Sequence, residues 1–427
     1  MSIPELYLSF LASEGICTDS RKIVTGSIFF ALKGAHFNGN EHAISAIEQG
    51  CSYAVVDEDL SENNRSIRVE NVLETLQALA LHHRKQVAPY VIGITGSNGK
   101  TTTKELLLAV LSRSKRTHAT VGNFNNHFGV PLSLLAMPLN TEIAIIEMGA
   151  NHIGEIADLC MICDPDLGVV TNIGRAHLEG FGSIEGVIEA KGELYDHIRK
   201  KNGELLVCSD DELLMDMSIG ITRTTYGIKS TADVSGVCKK EIPFLQLDWK
   251  TQVEESVHHI NTQLSGMHNL QNLLCAICAG VKVRIPPNEI NEALREHVPS
   301  NNRSEWVKTK NNEILLDAYN ANPSSMEVAI KNFSKLQDID QLLILGDMKE
   351  LGEFSEQEHR KIVELTSELK IQAIFVGPEF EKVILGQTHF VKTEALIEML
   401  KELPVLGKQI LIKGSRSIAL EKVVEEL

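Results

Sequence analysis

The sequence predicts an α/β protein of three domains, and two observations indicate this fold class. Apolar runs of strand length alternate with helix-like periods over two separate stretches, which is typical of parallel sheets covered by helices on both faces. The 427 residues also exceed the roughly 250–300 that one hydrophobic core serves. We therefore predict a small N-terminal α/β domain at residues 1–88, a central parallel-sheet domain at 89–300 and a C-terminal Rossmann-like α/β domain at 301–427.

Each domain has its own series of predicted elements. In the first, we expect a helix at 72–86 that follows short strands at 28–32, 53–57 and 66–70. In the second, helices begin at Lys104 and near residue 153, a further helix spans 269–281, and the apolar runs predict strands at 90–96, 142–149, 167–174 and 204–210. Polar–apolar alternation at 225–265 predicts a small antiparallel appendage, and Pro286-Pro287 with the polar stretch 299–304 predicts a linker. In the third, a second open sheet is predicted from the runs at 313–320, 341–348, 373–377, 389–392 and 409–415.

Composition and charge narrow the class of function. The net charge of −16 would repel nucleic acid polymers and anionic membrane surfaces, although one loop of backbone N–H groups can still bind phosphate. No run approaches the ~20 apolar residues that cross a bilayer, and the N-terminus lacks the basic stretch of a signal peptide. We expect a cytoplasmic protein, without membrane insertion, that is a monomer.

The cysteines include two CxxC pairs, Cys160/Cys163 and Cys275/Cys278. A zinc site is one interpretation of this spacing. However, both pairs lie in helix-like apolar runs, where a spacing of three places the sulfurs on one buried face, and they are too far apart in sequence for a zinc ribbon. We predict that these cysteines pack as small hydrophobic side chains and form no disulfide framework.

The segment ITGSNGKTTTKE, residues 94–105, combines the features of a phosphate-binding loop. It follows an apolar strand and opens a helix, so that backbone N–H groups and the helix N-terminus can face phosphate oxygens. Gly96 and Gly99 permit the tight turn, Lys100 would reach the β- and γ-phosphates, and the Thr101 hydroxyl would ligate Mg²⁺. The standard pattern has a glycine five residues before Gly99, where this chain has isoleucine, so the loop is a P-loop variant. The predicted nucleotide-binding residues of the loop are Gly96, Ser97, Asn98, Gly99, Lys100, Thr101 and Thr102.

Polar residues that follow two neighbouring apolar runs are candidates for catalysis. Glu147 is the first polar residue after one run, where a carboxylate can hold Mg²⁺; a surface strand cap is the alternative. His177 follows the next run, as a ligand of a second metal or as an ordinary loop histidine. Lys191 lies in a mid-chain helix, and nothing intrinsic distinguishes it from a solvated lysine.

With these residues, the chain resembles the Mur ligase family over essentially its whole length. The motifs that carry the resemblance are TGSNGKTT (95–102), GNFNNHFGVPLSLL (122–135), EMGANHIGEI (147–156), TNIGRAHLEGFGS (171–183), DAYNANPSSM (317–326), LGDMKELG (345–352) and IKGSR (412–416). DAYNANP discriminates best, because it resembles the members that add D-Ala-D-Ala to UDP-N-acetylmuramoyl-tripeptide. Members that add lysine or diaminopimelate have a different sequence there. The chain departs from the family at Asn302, where glycine is common, and at Leu316, where many members have an acid.

The resemblance implies an ATP-dependent ligase that makes an amide bond through an acyl phosphate, with its domains closing over the site. It implies Thr101 and Glu147 as ligands of one Mg²⁺, and His177 with a carbamylated Lys191 at a second. Further ATP contacts implied in the central and C-terminal domains are Asn269, Asn272, Arg303, Asp317 and Tyr319. The implied substrate-binding residues are Asp19, Ser20, Arg21, Lys33, Gly34, His36, Asn125 and Asn126.

Three other functions remain open on the sequence alone. A sister amide ligase would differ only in its substrate, and a panel of amines would separate the two. A P-loop kinase or GTPase would use the same loop, and its products would separate it from a ligase. A non-catalytic nucleotide-gated scaffold would keep residues 96–102 but would need neither Glu147, His177 nor Lys191.

Overall fold

The computed structural model describes residues 1–34, 36–60, 63–241, 243–254, 256–299, 302–336 and 340–427, and in them the chain forms three successive β-sheets covered by helices. The α/β fold class predicted from the strand–helix alternation is therefore confirmed. Within these ranges no helix has both the length and the apolar character needed to cross a membrane.

The N-terminal sheet has four parallel strands in the order β1-β2-β5-β6, and a short hairpin, β3-β4, lies beside it. Its strands are β1 (Ile16–Cys17), β2 (Ile28–Phe30), β3 (Lys33–Gly34), β4 (Phe37–Asn38), β5 (Tyr53–Val56) and β6 (Ser66–Arg68). Its helices are α1 (Ile3–Leu11), α2 (Ala43–Glu48) and α3 (Val72–Val87). Helix α3 continues into the next unit's core, since its Arg84 donates hydrogen bonds to the backbone carbonyls of Cys163 and Asp164 and to the Asp166 carboxylate.

The central sheet has nine strands in the order β15-β14-β13-β12-β11-β10-β7-β9-β8. Its strands are β7 (Tyr90–Thr95), β8 (Thr117–Ala119), β9 (Ile143–Glu147), β10 (Leu167–Val170), β11 (Glu204–Cys208), β12 (Thr222–Gly227), β13 (Val234–Lys240), β14 (Gln246–Thr251) and β15 (His258–Asn261). Its helices are α4 (Lys100–Leu111), α5 (Gly129–Leu135), α6 (Glu155–Cys163), α7 (Leu178–Phe181), α8 (Ile184–Lys201), α9 (Glu212–Met217), α10 (His268–Lys282) and α11 (Pro287–Glu296).

Strand β7 lies between β9 and β10 and is parallel to both. The strand before the phosphate loop therefore ends beside the ends of two other strands, an arrangement that places ligands at the carboxyl edge of open α/β sheets. This sheet order brings together side chains that are far apart in sequence.

The C-terminal sheet has six strands in the order β16-β17-β21-β18-β19-β20, parallel except for the edge strand β16. Its strands are β16 (Glu305–Lys308), β17 (Glu313–Asp317), β18 (Gln341–Gly346), β19 (Gln372–Val376), β20 (Thr388–Phe390) and β21 (Gln409–Lys413). Its helices are α12 (Pro323–Phe333), α13 (Ser355–Glu368), α14 (Pro378–Glu381) and α15 (Thr393–Glu402). Short 3₁₀ turns occupy 39–42, 352–354, 416–418 and 420–426.

Two local predictions are corrected by the structure. Helix α4 begins at Lys100 rather than Lys104, because Gly99 adopts the left-handed conformation and caps it directly. Pro287 is the first residue of helix α11 and not part of a linker, in keeping with the preference of proline for that position. The antiparallel appendage predicted at 225–265 is present: β13, β14 and β15 pair antiparallel and extend the central sheet beyond β12. Part of the stretch 299–304, residues 300 and 301, lies outside the described residues.

The prediction that the paired cysteines pack as small buried side chains is confirmed. Cys160 and Cys163 lie on α6 against the Met148 sulfur, at 3.9 and 3.7 Å, and Cys275 and Cys278 are buried on α10. All eight cysteines have free thiols.

Candidate active site

The phosphate loop occupies residues 96–99, between β7 and α4, and both of its glycines are favoured by geometry. Gly96 has φ +145° and Gly99 has φ +77°. A Cβ atom on Gly96 would lie 2.0 Å from the Thr171 hydroxyl oxygen, and one on Gly99 would lie 2.8 Å from the side-chain oxygen of Asn272. The side chains of Thr171 and Asn272 approach closely and both backbone angles are positive, so glycine is strongly favoured at both positions.

The loop is fastened to the segment that follows β10. Thr171 Oγ1 donates to the Asn98 carbonyl at 2.6 Å, and Asn172 Nδ2 donates to the same oxygen at 2.9 Å. Ser97 Oγ donates to the Gly174 carbonyl at 3.0 Å. These bonds to residues 171–174 keep the loop rigid, as preorganised phosphate binding requires. The sequence analysis did not assign Thr171 and Asn172, although their place directly after an apolar strand is the signal that identified Glu147.

Lys100 lies folded over the loop, with Nζ donating to the carbonyls of Gly96 at 2.5 Å and Ser97 at 3.3 Å. Burial lowers the pKa of its ammonium, and the nearby Glu147 carboxylate offsets part of that effect. The Lys100 cation thus lies at the mouth of the loop, where the terminal phosphates of a nucleotide would be.

Thr101 and Glu147 meet, as predicted for two ligands of one metal ion. Thr101 Oγ1 donates to Glu147 Oε2 at 2.8 Å, and Asn125 Nδ2 donates to Glu147 Oε1, also at 2.8 Å. Glu147 is 2% exposed at the end of β9. The surface-cap alternative for Glu147 is therefore wrong. Asn125, predicted as a substrate residue, contacts this pair, whereas Asn126 Oδ1 caps α5 by accepting the N–H groups of residues 128 and 129.

This donor set fits Mg²⁺ together with a nucleotide. In the described part of the chain, no three His, Cys, Asp or Glu side chains form a ready metal site. Mg²⁺ is commonly held by one or two protein oxygens, with substrate phosphates and water completing its shell. A hydroxyl and a buried carboxylate beside a phosphate loop meet that description.

Helix α10 supports the loop from the opposite side. Asn272 Oδ1 accepts from the Thr103 hydroxyl at 3.1 Å, and its Nδ2 donates to Asn269 Oδ1 at 2.9 Å. Asn269 Nδ2 donates in turn to the Ser265 carbonyl at 2.8 Å. The two predicted asparagines are therefore brought to the loop, and Asn272 lies directly against Gly99.

Arg303, Asp317 and Tyr319, predicted as ATP contacts, lie near one another in the C-terminal segment, and Arg303 lines the cleft beside the loop. The Arg303 guanidinium stacks on the Tyr319 ring, 3.8 Å from its centroid, and its buried Nε has no acceptor among the described residues. Asp317 Oδ2 accepts from Lys413 Nζ at 2.6 Å. Burial alone would raise the pKa of the Asp317 carboxyl, but the Lys413 ammonium outweighs burial and the pKa is lowered.

The position before Arg303 explains one departure from the family pattern. Asn302 has φ +56°, in the left-handed region that glycine enters freely. Asparagine tolerates this region better than most residues, so it can replace the common glycine without moving the arginine. Leu316, the second departure, is buried in the C-terminal core.

A cleft that is open to solvent lies beside the loop, between the central and C-terminal segments, and its space including that solvent is about 370 Å³. It is lined by Thr101, Thr102, Glu105, Leu264, Asn269, His297, Pro299, Arg303 and Ser304. Its mixed walls and the unpartnered Arg303 Nε suit the base and sugar of a nucleotide whose phosphates lie in the loop.

Lys191 is not solvated, in contrast to an ordinary helix lysine. Its side chain is 1% exposed, and Nζ lies 5.2 Å from the centroid of the Phe181 ring. Burial, reinforced by the nearby Lys100 ammonium, lowers its pKa to about 7. Among described residues no carboxylate forms an ion pair with it. His177 is close by, with its ring edge-on to Phe181 at 6.3 Å between centroids, and its Nδ1 lies 2.5 Å from Glu350 Oε2.

The C-terminal segment also touches the phosphate loop itself. Asn322, the N-cap of α12, donates from Nδ2 to Asn98 Oδ1 at 2.8 Å. The Arg175 backbone N–H donates to Ser324 Oγ at 3.1 Å, and its guanidinium lies 3.4 Å from a Glu327 carboxylate oxygen. Asn322 was not predicted from the sequence as a cap or as a contact, because the sequence gives no signal of a bond that crosses the molecule.

The predicted substrate residues of the first sheet lie elsewhere. Asp19 and Arg21 form an exposed bidentate pair, and the pKa of Asp19 is lowered to about 2 by its hydrogen bonds from Arg21. Lys33 Nζ contacts the Asp57 and Glu58 carboxylates at 2.8 and 2.9 Å. Ser20, Gly34 and His36 lie in the same two turns, and Ala35 between them is outside the described residues. Their described contacts stay within the N-terminal segment.

Three family models match the chain in order along its length. "Mur ligase family, catalytic domain" matches residues 13–84, "Mur ligase middle domain" matches 94–280, and "Mur ligase, glutamate ligase domain" matches 302–416. The chain is also 37% identical to the UDP-N-acetylmuramoyl-tripeptide--D-alanyl-D-alanine ligase of Bacillus subtilis (strain 168), over 97% of this chain and 93% of that protein. The chain belongs to the Mur ligase family. The resemblance drawn from the sequence motifs is thereby confirmed.

Further relatives of this Mur ligase match it in sequence or in fold along its full length. It is 32% identical to the enzyme of the same name from Escherichia coli (strain K12), over 99% of this chain and 95% of that protein. Its fold superimposes on MurF from Acinetobacter baumannii with a TM-score of 0.89 and 28% identity, covering 100% and 98% of the two chains. The MurF ligase of Thermotoga maritima, solved in complex with ADP, matches with a TM-score of 0.86 and 27% identity, covering 97% of each chain.

Proposed function

We propose that this chain is the ATP-dependent ligase that joins D-alanyl-D-alanine to UDP-N-acetylmuramoyl-tripeptide, giving the UDP-muramoyl-pentapeptide of peptidoglycan synthesis. The observation that carries the proposal is the Thr101–Glu147 pair beside the phosphate loop, in a chain 37% identical over its length to a ligase of that name. The loop and the pair account for the use of ATP, and the relatives point to the two substrates.

The reaction requires activation of a carboxylate, since its negative charge repels an attacking amine. One oxygen of the terminal tripeptide carboxylate attacks the γ-phosphorus of ATP, the bond to the bridging oxygen breaks, and ADP leaves. The amine of D-Ala-D-Ala then attacks the acyl carbon, phosphate leaves with the electron pair of the C–O bond, and the amine loses a proton. Positioning and charge neutralisation provide most of the catalysis in such transfers.

The protein contributes donors of fixed position. The backbone N–H groups of residues 99–101 at the N-terminus of α4 would face the phosphates, because those of Ser97 and Asn98 are bonded to Asn172. The Lys100 ammonium would neutralise charge that develops on the phosphates. Asn269, Asn272, Arg303, Asp317 and Tyr319 are proposed to hold the remainder of the nucleotide. Water exclusion at this junction protects the acyl phosphate from hydrolysis.

Mg²⁺ is proposed as the metal, with Thr101 and Glu147 as its protein ligands. When bound, it would neutralise charge on the β- and γ-phosphate oxygens. A second ion at His177 is part of the same proposal. The residues proposed to bind the UDP-sugar substrate are Asp19, Ser20, Arg21, Lys33, Gly34, His36, Asn125 and Asn126.

Lys191 is proposed to react with CO₂. A pKa of about 7 leaves much of the amine neutral near neutral pH, and only the neutral amine has the lone pair that attacks CO₂. The ammonium first loses one proton; the amine then forms the N–C bond as one C=O π bond of CO₂ opens, and a second proton is released. A buried cation thereby becomes an anion. That anion would suit a second cation near His177. Lys191→Ala is expected to lose most turnover, partly recoverable by short carboxylic acids.

The three sheets also suggest functional units. We propose 1–88 for the UDP-substrate, 89–300 for ATP and 301–427 for the dipeptide, in a cytoplasmic monomer.

Phosphate release by the purified protein tests the function. With ATP and Mg²⁺, release is expected only when UDP-muramoyl-tripeptide and D-Ala-D-Ala are both present. Release or phosphoryl transfer without the amine would favour a kinase-type reaction, and binding of ATP without turnover in any combination would favour a scaffold. Glu147→Gln should abolish the Mg²⁺-dependent part of ATP affinity, measured by calorimetry with and without the metal.

A further inference from the structure

A loop of the C-terminal segment, residues 347–352, reaches across to the central sheet. Its Glu350 carboxylate lies with Oε2 at 2.5 Å from His177 Nδ1, and the Glu350 carbonyl accepts the Glu179 N–H at 3.3 Å. Gly352 packs on the Glu179 side chain so closely that a Cβ would lie 3.2 Å from Glu179 Cγ. The carboxylate beside His177 therefore comes from a different sheet than the histidine.

The loop is held rigidly from the C-terminal side. Asp347 is fully buried, and its carboxylate accepts the N–H groups of Glu379 and Phe380 at 3.0 Å each. The Met348 N–H donates to His359 Nε2 at 3.0 Å, and the Lys349 N–H donates to Ser415 Oγ at 3.0 Å. The three successive residues before Glu350 are thus bonded to three other segments: α14, α13 and the turn after β21.

Glu350 itself has φ +63°, a conformation that L-residues other than glycine rarely adopt. Left-handed backbone at a glutamate is strained and persists only where surrounding contacts impose it. Here the strain delivers the carboxylate to the imidazole. His177, on the other side of the contact, is also left-handed, with φ +53°.

A carboxylate beside one imidazole nitrogen favours the proton on that nitrogen, so the other nitrogen keeps the lone pair that can bind a ligand or accept a proton. The carboxylate lies against Nδ1 as a close polar contact without hydrogen-bond geometry, and Nδ1 has no other partner among the described residues. The negative charge of the carboxylate favours the proton on Nδ1, and in that neutral tautomer Nε2 carries the lone pair. Such partners fix the tautomer and orientation of functional histidines. The ring of His177 also packs edge-on against Phe181, on which Lys191 lies, so its orientation bears on the lysine as well.

We propose that Glu350 is a positioning residue for the reaction: it fixes the Nδ1–H tautomer of His177 and does so only when the C-terminal sheet is docked on the central sheet. The inference rests on the proposed function for the role of His177. On this proposal, the site is complete only when docking of the C-terminal sheet brings the Glu350 carboxylate to His177.

The experiment compares Glu350→Ala, Glu350→Gln and the matched control Glu353→Gln, an exposed glutamate three residues away. Glu350→Ala should lower kcat about 10- to 100-fold, with the KM of D-Ala-D-Ala changed less than about threefold. Glu350→Gln keeps an acceptor oxygen for Nδ1–H and should recover most of kcat. The control should match the unmodified protein.

A second readout needs neither substrate nor metal. The protein is labelled with ¹⁵N-histidine, and the His177 signals are assigned by their loss in His177→Gln. Glu350→Ala should shift the His177 nitrogen signals from the Nδ1–H tautomer toward a mixture or the Nε2–H form, while Glu353→Gln leaves them unchanged.

An unchanged His177 spectrum in Glu350→Ala, or a kcat equal to that of the control, would overturn the inference. If Glu350→Ala does not fold, the spectrum and kcat of Glu350→Gln decide: the inference requires the Nδ1–H tautomer and most of the turnover to remain. Failure of the proposed function has a separate signature, namely no phosphate release by the unmodified protein with both substrates.

Discussion

Replacing Lys191 by methionine should make the ligand-free protein more stable, although it removes a residue proposed to be essential. The lysine side chain is 1% exposed on α8, and no described carboxylate pairs with it. Methionine keeps the unbranched shape and removes only the ionisable amine. The change in the free energy of unfolding therefore measures the cost of burying that amine.

The magnitude follows from the pKa, which falls from 10.5 to about 7 mainly through burial and then through the Lys100 ammonium. The unfolded chain binds this proton up to about pH 10.5 and the folded chain only below about 7, so the free energy of unfolding rises with pH between those values. Folding with the amine costs roughly 5 kcal/mol at pH 6.5 but only roughly 1–2 kcal/mol at pH 9.5. Lys191→Met should recover these amounts, with a difference of about 3 kcal/mol between the two pH values.

The assay is urea unfolding in CO₂-free buffer at both pH values. The chain has two tryptophans, so Trp306→Phe leaves buried Trp249 on β14 as a fluorescent reporter of the central sheet. Lys200→Met, an exposed lysine of the same helix, is the matched control and should change stability by less than about 0.5 kcal/mol. A gain that stays constant with pH, or a loss of stability in Lys191→Met, would refute the reasoning.

Three further outcomes are expected. Gly96→Ala should raise the Kd of ATP, measured by calorimetry, at least about tenfold, because the added Cβ would lie 2.0 Å from Thr171 Oγ1. The control Gly122→Ala, at a glycine with φ +57° and open space around it, should leave the Kd of ATP unchanged. Arg303→Lys should raise the KM of ATP about tenfold without changing Tm, since lysine cannot replace the guanidinium stacked on Tyr319; an unchanged KM would count against that contact. Small-angle scattering should show compaction when an ATP analogue and the UDP-substrate are both added, and a constant radius of gyration would exclude domain closure.

Predictions from the sequence succeeded where the cause is local. The strand, glycine turn and helix around Lys100 follow from neighbouring residues, and so does the helical burial of Cys160 and Cys163. Two predictions of helix boundaries were wrong because local helix-start signals were misjudged. Pro287 begins a helix where a linker was expected, and α4 starts four residues early because Gly99 caps it. Strand β16 was missed because it is a short antiparallel edge strand.

The sequence by itself determined the family, the order of the three α/β segments along the chain, and the position of the phosphate loop between a strand and a helix. Contacts between distant residues were decided by the tertiary structure. Thr101 meets Glu147, 46 residues away, because β7 pairs with β9. The charge state of Lys191 and the contact of Glu350 with His177 likewise depend on which surfaces the packed sheets bury or press together. Sequence patterns report hydrogen bonds and periodicity within a few residues, whereas burial and long-range contact are properties of the whole folded chain.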